Sequence, residues 1–384
     1  MDGDTAPLSL SLHPAIHEIA AADWDGCAGD ANPFVSHAFL SALEDSGSAG
    51  ARTGWLPRHA ALRDATGRLL AVAPMYAKSH SYGEYVFDHG WANALERAGG
   101  RYYPKLQVAS PFSPVPGPRL LRRPGVTVAA MAQALEMMAE ELGCSSTHVT
   151  FCSEPEWKQL GEAGWLQRLG MQYHWDNPGY ASFEDFLAAL SSRKRKAIRR
   201  ERRDAQAGLT FTALSGAALT PEIWRQFYRF YTATTDRKWG GAYLTPEFFR
   251  LLGERLGGQV VLMFACRGDK PIAGALNLRG GDVLYGRNWG CVEDIPFLHF
   301  ELCYYHAIDY AIAHGLKRVE AGAQGEHKIQ RGYLPQPTYS AHAIRHPGLR
   351  RSVSYYLEAE RAQIEETMAA MRAEGPYRKA GEAG

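Results

Sequence analysis

Phe297-Leu298-His299-Phe300-Glu301-Leu302-Cys303-Tyr304-Tyr305-His306-Ala307-Ile308-Asp309-Tyr310-Ala311-Ile312-Ala313-His314-Gly315, followed by Arg318-Val319-Glu320, reads as a long proline-free helix, a glycine terminator and a short strand. The same phrase occurs earlier: Val128 to Leu142 has a helical pattern, Gly143 ends it, and His148-Val149-Thr150-Phe151 reads as a strand. Gly332-Tyr333-Leu334 then answers Gly164-Trp165-Leu166. The pairs Gly315 and Gly143, Val319 and Val149, Gly332 and Gly164 lie 172, 170 and 168 residues apart. A near-constant offset is the mark of an internal duplication, and a duplication fixes the architecture before any motif does. Upstream, Leu70 to Met75 followed by Glu84-Tyr85-Val86-Phe87 matches Ile272 to Leu276 followed by Val283-Leu284-Tyr285-Gly286, which predicts strands at all four places. The second copy then has roughly thirty fewer residues before its long helix.

Working outward through the second copy, Leu209 to Ala213 alternates like a strand. Thr220-Pro221-Glu222 and Thr245-Pro246-Glu247 each place a capping hydroxyl before a proline at the first helical position, so each starts a helix. Gln259 to Arg267, Pro271 to Arg279 and Asp282 to Trp289 are β-rich runs joined by Gly268-Asp269-Lys270 and Gly280-Gly281, the signature of an antiparallel meander. With the long helix, the strand at Val319, a short helix over Glu326 to Gly332 and a strand over Tyr339 to Ile344, the predicted order is β, α, α, β, β, β, α, β, α, β. The segment from Gly348 to Arg372 reads as a further helix.

The chain of 384 residues is long enough for two to three domains. The duplication places a first domain over 1–185, a basic connecting segment over 186–208, a second domain over 209–347, and a C-terminal helix and tail over 348–384. A hydrophobic content of 46% with 22% charged residues suits a packed core and excludes a largely disordered chain. The net charge of +1 supplies no chain-wide field for nucleic acid or an anionic membrane. No stretch reaches 18 apolar residues and Met1-Asp2-Gly3-Asp4 lacks the basic start of a secretion signal, so a cytoplasmic protein without a membrane span is expected. The six cysteines form no C-x-x-C pair or zinc spacing, and no metal is expected.

The predicted element order is similar to the GNAT acyltransferase fold, and its duplication resembles the Fem-type aminoacyl transferases. The phrases Tyr82 to Asp88, Tyr102-Tyr103-Pro104-Lys105-Leu106, Pro111 to Val115, Pro296 to Tyr305 and Gly325 to Pro335 together resemble the FemAB-like GNAT family, named for peptidoglycan biosynthesis, over roughly residues 15 to 360. The resemblance implies a mixed α/β protein of two tandem GNAT-like domains plus a C-terminal helix. It also implies an acyl donor held where the fourth and fifth strands of a domain splay apart, and transfer of an acyl or aminoacyl group to an amine to form an amide. From a different class, the alternative is a non-catalytic module that recognises peptidoglycan precursor or a related molecule. No tightly bound cofactor is implied; acyl-CoA and aminoacyl-tRNA compete as co-substrate. A small molecule or a muropeptide is the implied acceptor, and the oligomeric state is left open.

On that frame Glu320, on the fifth strand of the second copy, is the candidate base, or else a structural carboxylate. Arg287 and Asn288 alternate in facing on the fourth strand, so one of them is expected to face the cleft. Glu326, His327 and Lys328 form an ionisable cluster suited to an anion, and His299 lies on the long helix. Asp88, Tyr103 and Lys105 bring charge and aromatic rings together in the first copy, as an acceptor pocket requires. Trp239, in Lys238-Trp239-Gly240-Gly241, reads as part of a lid or as a simple turn. The loop Gly290 to Pro296 carries two acids and one glycine where a GNAT phosphate loop is glycine-rich, a poor cradle for the pyrophosphate of CoA. Residues 193–203 hold eight cations and one acid. They suit tRNA phosphates, or form a solvated helix joining the domains.

Overall fold

The computed structural model describes residues 8–238, 241–322 and 325–378. The chain divides into two compact units, residues 1–170 with 338–364 and residues 171–337 with 365–384. In the first, β1 (Ser9–His13), β2 (Trp55–Pro57), β3 (His59–Arg63), β4 (Leu69–Ala73), β5 (Met75–Lys78), β6 (Lys105–Val108), β7 (Leu121–Arg122) and β8 (Ser146–Cys152) precede β9 (Leu166–Asp176), whose second half belongs to the other unit. The second continues with β10 (Thr210–Leu214), β11 (Val260–Arg267), β12 (Lys270–Gly280), β13 (Val283–Cys291) and β14 (Arg318–Glu320). β15 (Leu334–Ile344) starts in the second unit and returns to the first at Thr338.

In the first unit β1, β3, β4 and β7 form one sheet, and β2, β5, β6, β8 and the end of β15 form another. Pro74 divides β4 from β5, since it has no N–H for a ladder. β6 runs parallel to β8, as a crossover through the helix Val128–Glu141 requires. That helix opens on Thr127, whose hydroxyl accepts from Ala130 N, and its apolar face of Met131, Leu135 and Met138 packs on Leu106, Val108 and Val149.

Glu84 to Phe87 is not the strand that its resemblance to Val283–Gly286 predicts. Gly83 and Tyr85 take left-handed φ values of 78° and 59°, which no ladder accommodates, and the Glu84 side chain turns inward to Lys105. The counterpart of β13 is β6, which pairs with β8 as β13 pairs with β14.

The second unit holds β10, β11, β12, β13, β14 and residues 171–176 of β9 in that order across its sheet. The two proline-started helices are present as Pro221–Lys238 and Pro246–Leu256, the latter capped by Thr245 accepting from Phe248 N. The long helix is continuous from Leu298 to Ala313 but relaxes into a π-turn over Glu301–Tyr305. Such widened turns concentrate at functional sites. The helix face of Leu302, Tyr305 and Ile308 packs on Leu284 and Val319.

The basic run forms the helix Ser192–Gln206. Buried Ile198 and Ala205 mark its inner side. Arg202 donates to buried Glu301 at 3.0 and 3.1 Å and to Asp309 at 2.6 Å, and Glu201 accepts from Arg331 at 2.8 Å. Arg199 pairs with Glu184 and Lys194 with Gln330. Arg193, Lys196, Arg200 and Arg203 stay exposed at helical spacing, an outward cationic stripe. Among the described residues no helix is long and apolar enough to cross a membrane. The C-terminal helix is Pro347–Ala373.

Candidate functional site

β13 and β14 are hydrogen-bonded for three register pairs, ending at Tyr285 with Glu320. Beyond that point they part. β13 stays on β12 as far as Cys291, whereas the chain after Glu320 follows β9, with Ala321 N donating to Tyr173 O at 3.1 Å. At the fork the register of β12 against β13 slips by one residue, leaving Arg287 as a bulge between Gly286 and Asn288. Gly286 eases the packing there, because a Cβ would stand a tight 3.2 Å from the carbonyl oxygen of Glu320. At Gly290 a Cβ would come within 1.8 Å of Phe230 O, so the absence of a side chain lets the helix Pro221–Lys238 cross the strand.

Val319 and Leu284 face the long helix, so Glu320 and its partner Tyr285 face the other way. His174 is opposite Glu320 on β9 and shares that face. Both side chains are buried. Their nearest approach is 3.8 Å, Nε2 to Oε2, and neither imidazole nitrogen nor Oε2 has a hydrogen-bond partner among the described residues. Burial pushes the Glu320 carboxyl up to about 8, with Arg318 and Arg287 pulling the other way. Burial also lowers His174 to about 3, helped by Arg318 and Lys328. At neutral pH the site therefore holds an uncharged imidazole beside a predominantly protonated carboxyl. Nothing in the spacing of the sequence singles out His174; only the antiparallel register of β9 on β14 brings it here.

Of the other second-unit candidates, Arg287 and Asn288 stand at the fork. Lys328 is buried and its ammonium donates to Ala321 O at 2.6 Å and Gly322 O at 3.2 Å, tying down the exit from β14. Burial lowers it to about 8. His299 and His327 join Trp289, Phe300 and Tyr304 in an aromatic group, with Trp289 to His299 ring centres 5.1 Å apart and Tyr304 Oη 3.1 Å from His327 Nε2. Trp289 packs with the core that holds Leu284 and Val319, opposite to Glu320. Glu326 is exposed in the first turn of the short helix Glu326–Arg331. Arg287 and Asn288 are half-buried at the fork. Trp239 lies outside the described residues.

The first-unit candidates form a separate cluster. Lys105 and Gln107 of β6, Tyr76 and Lys78 of β5, His148 of β8 and His342 of β15 all point from one buried face, while Leu106, Val108, Met75, Val149 and Ala341 form the apolar core on the other. The Lys105 ammonium donates to Asp88 at 2.5 Å, Glu84 at 2.6 Å and Ser81 at 2.8 Å, and Ser81 meets the Tyr103 hydroxyl at 2.8 Å. Tyr102 donates to Asp88 at 2.7 Å, and the Nδ1 atoms of His148 and His342 are 2.7 Å apart. Burial opposes ionisation of Asp88, but Lys105 overrides it and holds the carboxyl well below its ordinary range. Burial lowers Lys78 to about 7 and raises Glu84 to about 7, the charge of each partner opposing the shift. Among the described residues no group of three or more His, Cys, Asp or Glu side chains could hold a metal ion.

No curated protein matches the chain. Solved structures do. The C-terminal domain of a putative lysylphosphatidylglycerol synthetase from Agrobacterium fabrum superposes with a TM-score of 0.54 at 10% identity, over 88% of this chain and 95% of that one. FemX does so with a TM-score of 0.52 at 11% identity, over 88% and 98%. The L-PGS structure from Bacillus licheniformis gives 0.51 at 10% identity, over 85% and 98%. At such identity these likenesses establish the fold alone. The FemAB-like profile, described as peptidoglycan biosynthesis/recognition, matches residues 15–379. With a match over nearly the whole sequence, the chain belongs to the FemAB-like family.

Proposed function

We propose that the second unit transfers an acyl or aminoacyl group to an amine, forming an amide, with the donor carbonyl seated where β13 and β14 part. The observation that carries this reading is Glu320: a buried carboxyl at the fork with an oxygen that makes no hydrogen bond among the described residues. Buried polar atoms are paired as a rule, so an unpaired oxygen at the fork leaves a hydrogen-bonding position open to a ligand. Attack requires a neutral amine, and an acceptor arriving as ammonium beside Glu320 favours the carboxylate and can give it a proton, which the carboxyl then returns to the donor's oxygen or sulfur as its bond to the carbonyl carbon breaks. His174, neutral and adjacent, is placed to accept a hydrogen bond from the same amine. Arg287 and Asn288 border the seat of the donor.

For the donor we favour an aminoacyl ester carried on tRNA over acyl-CoA. Val292 N is taken by Ile272 O and Leu298 N by Ile295 O, and the loop between carries Glu293, paired with Arg267 at 3.0 Å, and Asp294. A diphosphate seated on that loop would meet the carboxylates of Glu293 and Asp294, whose charge opposes it. The outward stripe of Arg193, Lys196, Arg200 and Arg203 offers phosphate contacts instead. The same acid-rich loop favours the second reading, a module that binds a peptidoglycan precursor without transfer.

Mass-spectrometric detection of an aminoacyl group moved from charged tRNA to an amine-bearing muropeptide tests the first reading. Calorimetric binding of the muropeptide with no binding of charged tRNA or acetyl-CoA selects the second. Substituting Lys196→Ala and Arg200→Ala together is expected to lower the salt dependence of tRNA binding by about 1.4 to 1.8 in log–log slope. An unchanged slope in a salt titration removes the stripe from the RNA contact.

A further inference from the structure

Glu84 is the least well accommodated member of the first unit's buried cluster. It stands on a loop between β5 and the helix His89–Arg97, flanked by Gly83 and Tyr85 in the left-handed region. Its neighbours Tyr82 and Phe87 are 60% and 62% exposed, large rings left in water by the closed loop. Its carboxylate spans two ammonium groups, Lys105 at 2.6 Å and Lys78 at 3.7 Å, and Oε1 makes no hydrogen bond among the described residues. Lys105 already has Asp88 as its close counter-ion. Among the described residues Lys78 has besides only the Tyr82 carbonyl at 3.1 Å and the Trp55 ring face at 3.5 Å. The buried Trp55 indole N–H has no acceptor among the described residues, and Gly83 closes directly over it: a Cβ there would lie 3.4 Å from Nε1 and 2.7 Å from the Phe112 ring.

With Glu84 withdrawn, what remains on the sheet face is a set of converging donors: two lysines, the Ser81 and Tyr103 hydroxyls and the indole N–H. We infer that the space between Lys78 and Lys105 is an anion-binding site, that Glu84 occupies it as an internal stand-in for a ligand's carboxylate or tetrahedral oxyanion, and that residues 82–87 are the lid that carries it. The inference concerns binding by the first unit and does not rest on the transferase reading.

Titration calorimetry with sulfate and with acetate separates the tetrahedral from the planar anion. Glu84→Gln is expected to bind one of them at least tenfold more tightly than the unaltered protein, and adding Lys78→Met is expected to abolish the gain. No gain for either anion, or a gain that survives Lys78→Met, overturns the proposal. Should Glu84→Gln fail to fold, the unaltered protein serves. The groups facing Glu84 are Lys78, Lys105, Asp88, Tyr102 and Tyr103, and of these Lys78 titrates in its range. Acidification from pH 8 to pH 6 protonates both Glu84 and Lys78, so affinity for sulfate is expected to rise several-fold; a flat or falling affinity sinks the idea.

Discussion

Lys105→Met is expected to cost the first unit about 3–5 kcal/mol, the range for breaking a buried ion pair by removing one partner. The ammonium it removes is fully buried and is the close counter-ion of both Asp88 and Glu84. Two carboxylates would then share a desolvated site with Lys78 as the remaining cation nearby. The sign of the pH dependence follows. In the unaltered protein the Asp88 carboxyl is held low, so its contribution is present above the ordinary aspartate range and fades as acid protonates it. Without Lys105 the same group is raised by burial, so the variant should recover relative to the unaltered protein as pH falls toward 4. Urea denaturation at pH 7.5 and pH 4.5 reads both quantities. A deficit below about 1 kcal/mol, typical of an exposed pair, or one equal at both pH values, contradicts this account. Adding Asp88→Asn should restore part of the loss, since it removes one of the uncompensated charges.

Glu320→Gln is expected to reduce transfer by about 10²- to 10⁴-fold, the usual contribution of a general base. Its effect on stability has the opposite sign. A carboxyl raised from 4.5 to about 8 penalises the folded state as pH climbs through that window, because the unfolded chain gives up its proton first. Glutamine carries no such penalty. Relative to the unaltered protein the variant should gain on the order of a few kcal/mol between pH 5 and pH 9. Denaturation midpoints across that range test the burial, and single-turnover transfer tests the role. Full turnover by the variant would make Glu320 a structural carboxyl, whatever the stability result.

Much of the scaffold was legible as pattern. The capping threonines at 220 and 245, the glycine turns of the meander and the helix-to-strand phrase repeated at near-constant offset each encode local geometry, and the helices and strands stand where those signals lie. Glu320 was legible too, since the element order put it on the strand next to β13. His174 was not. It comes from 146 residues upstream and reaches Glu320 because the second half of β9 joins the second unit, a choice of strand partner that no local periodicity records. Glu84 failed for a related reason. Tyr85-Val86-Phe87 has strand composition, but the long-range attraction of Lys105 and the left-handed residues at 83 and 85 turned it into a loop.

The basic run shows the same division inside one element. Its sequence fixed a charged helix, and charge alone could not sort its members. Packing did: Arg202 went to Glu301 and Asp309 because that face meets the long helix, while Arg193, Lys196 and Arg200 were left to solvent.

By itself the sequence determined the order of helices and strands in its second half, the FemAB-like family and the residue types available for chemistry, because capping, turn and alternation signals act between neighbours a few residues apart. Tertiary structure alone decided which carboxyl is left without a hydrogen bond at a fork in the sheet and which is clasped by lysines, because burial and the distance between charges depend on strand partners far apart in the chain.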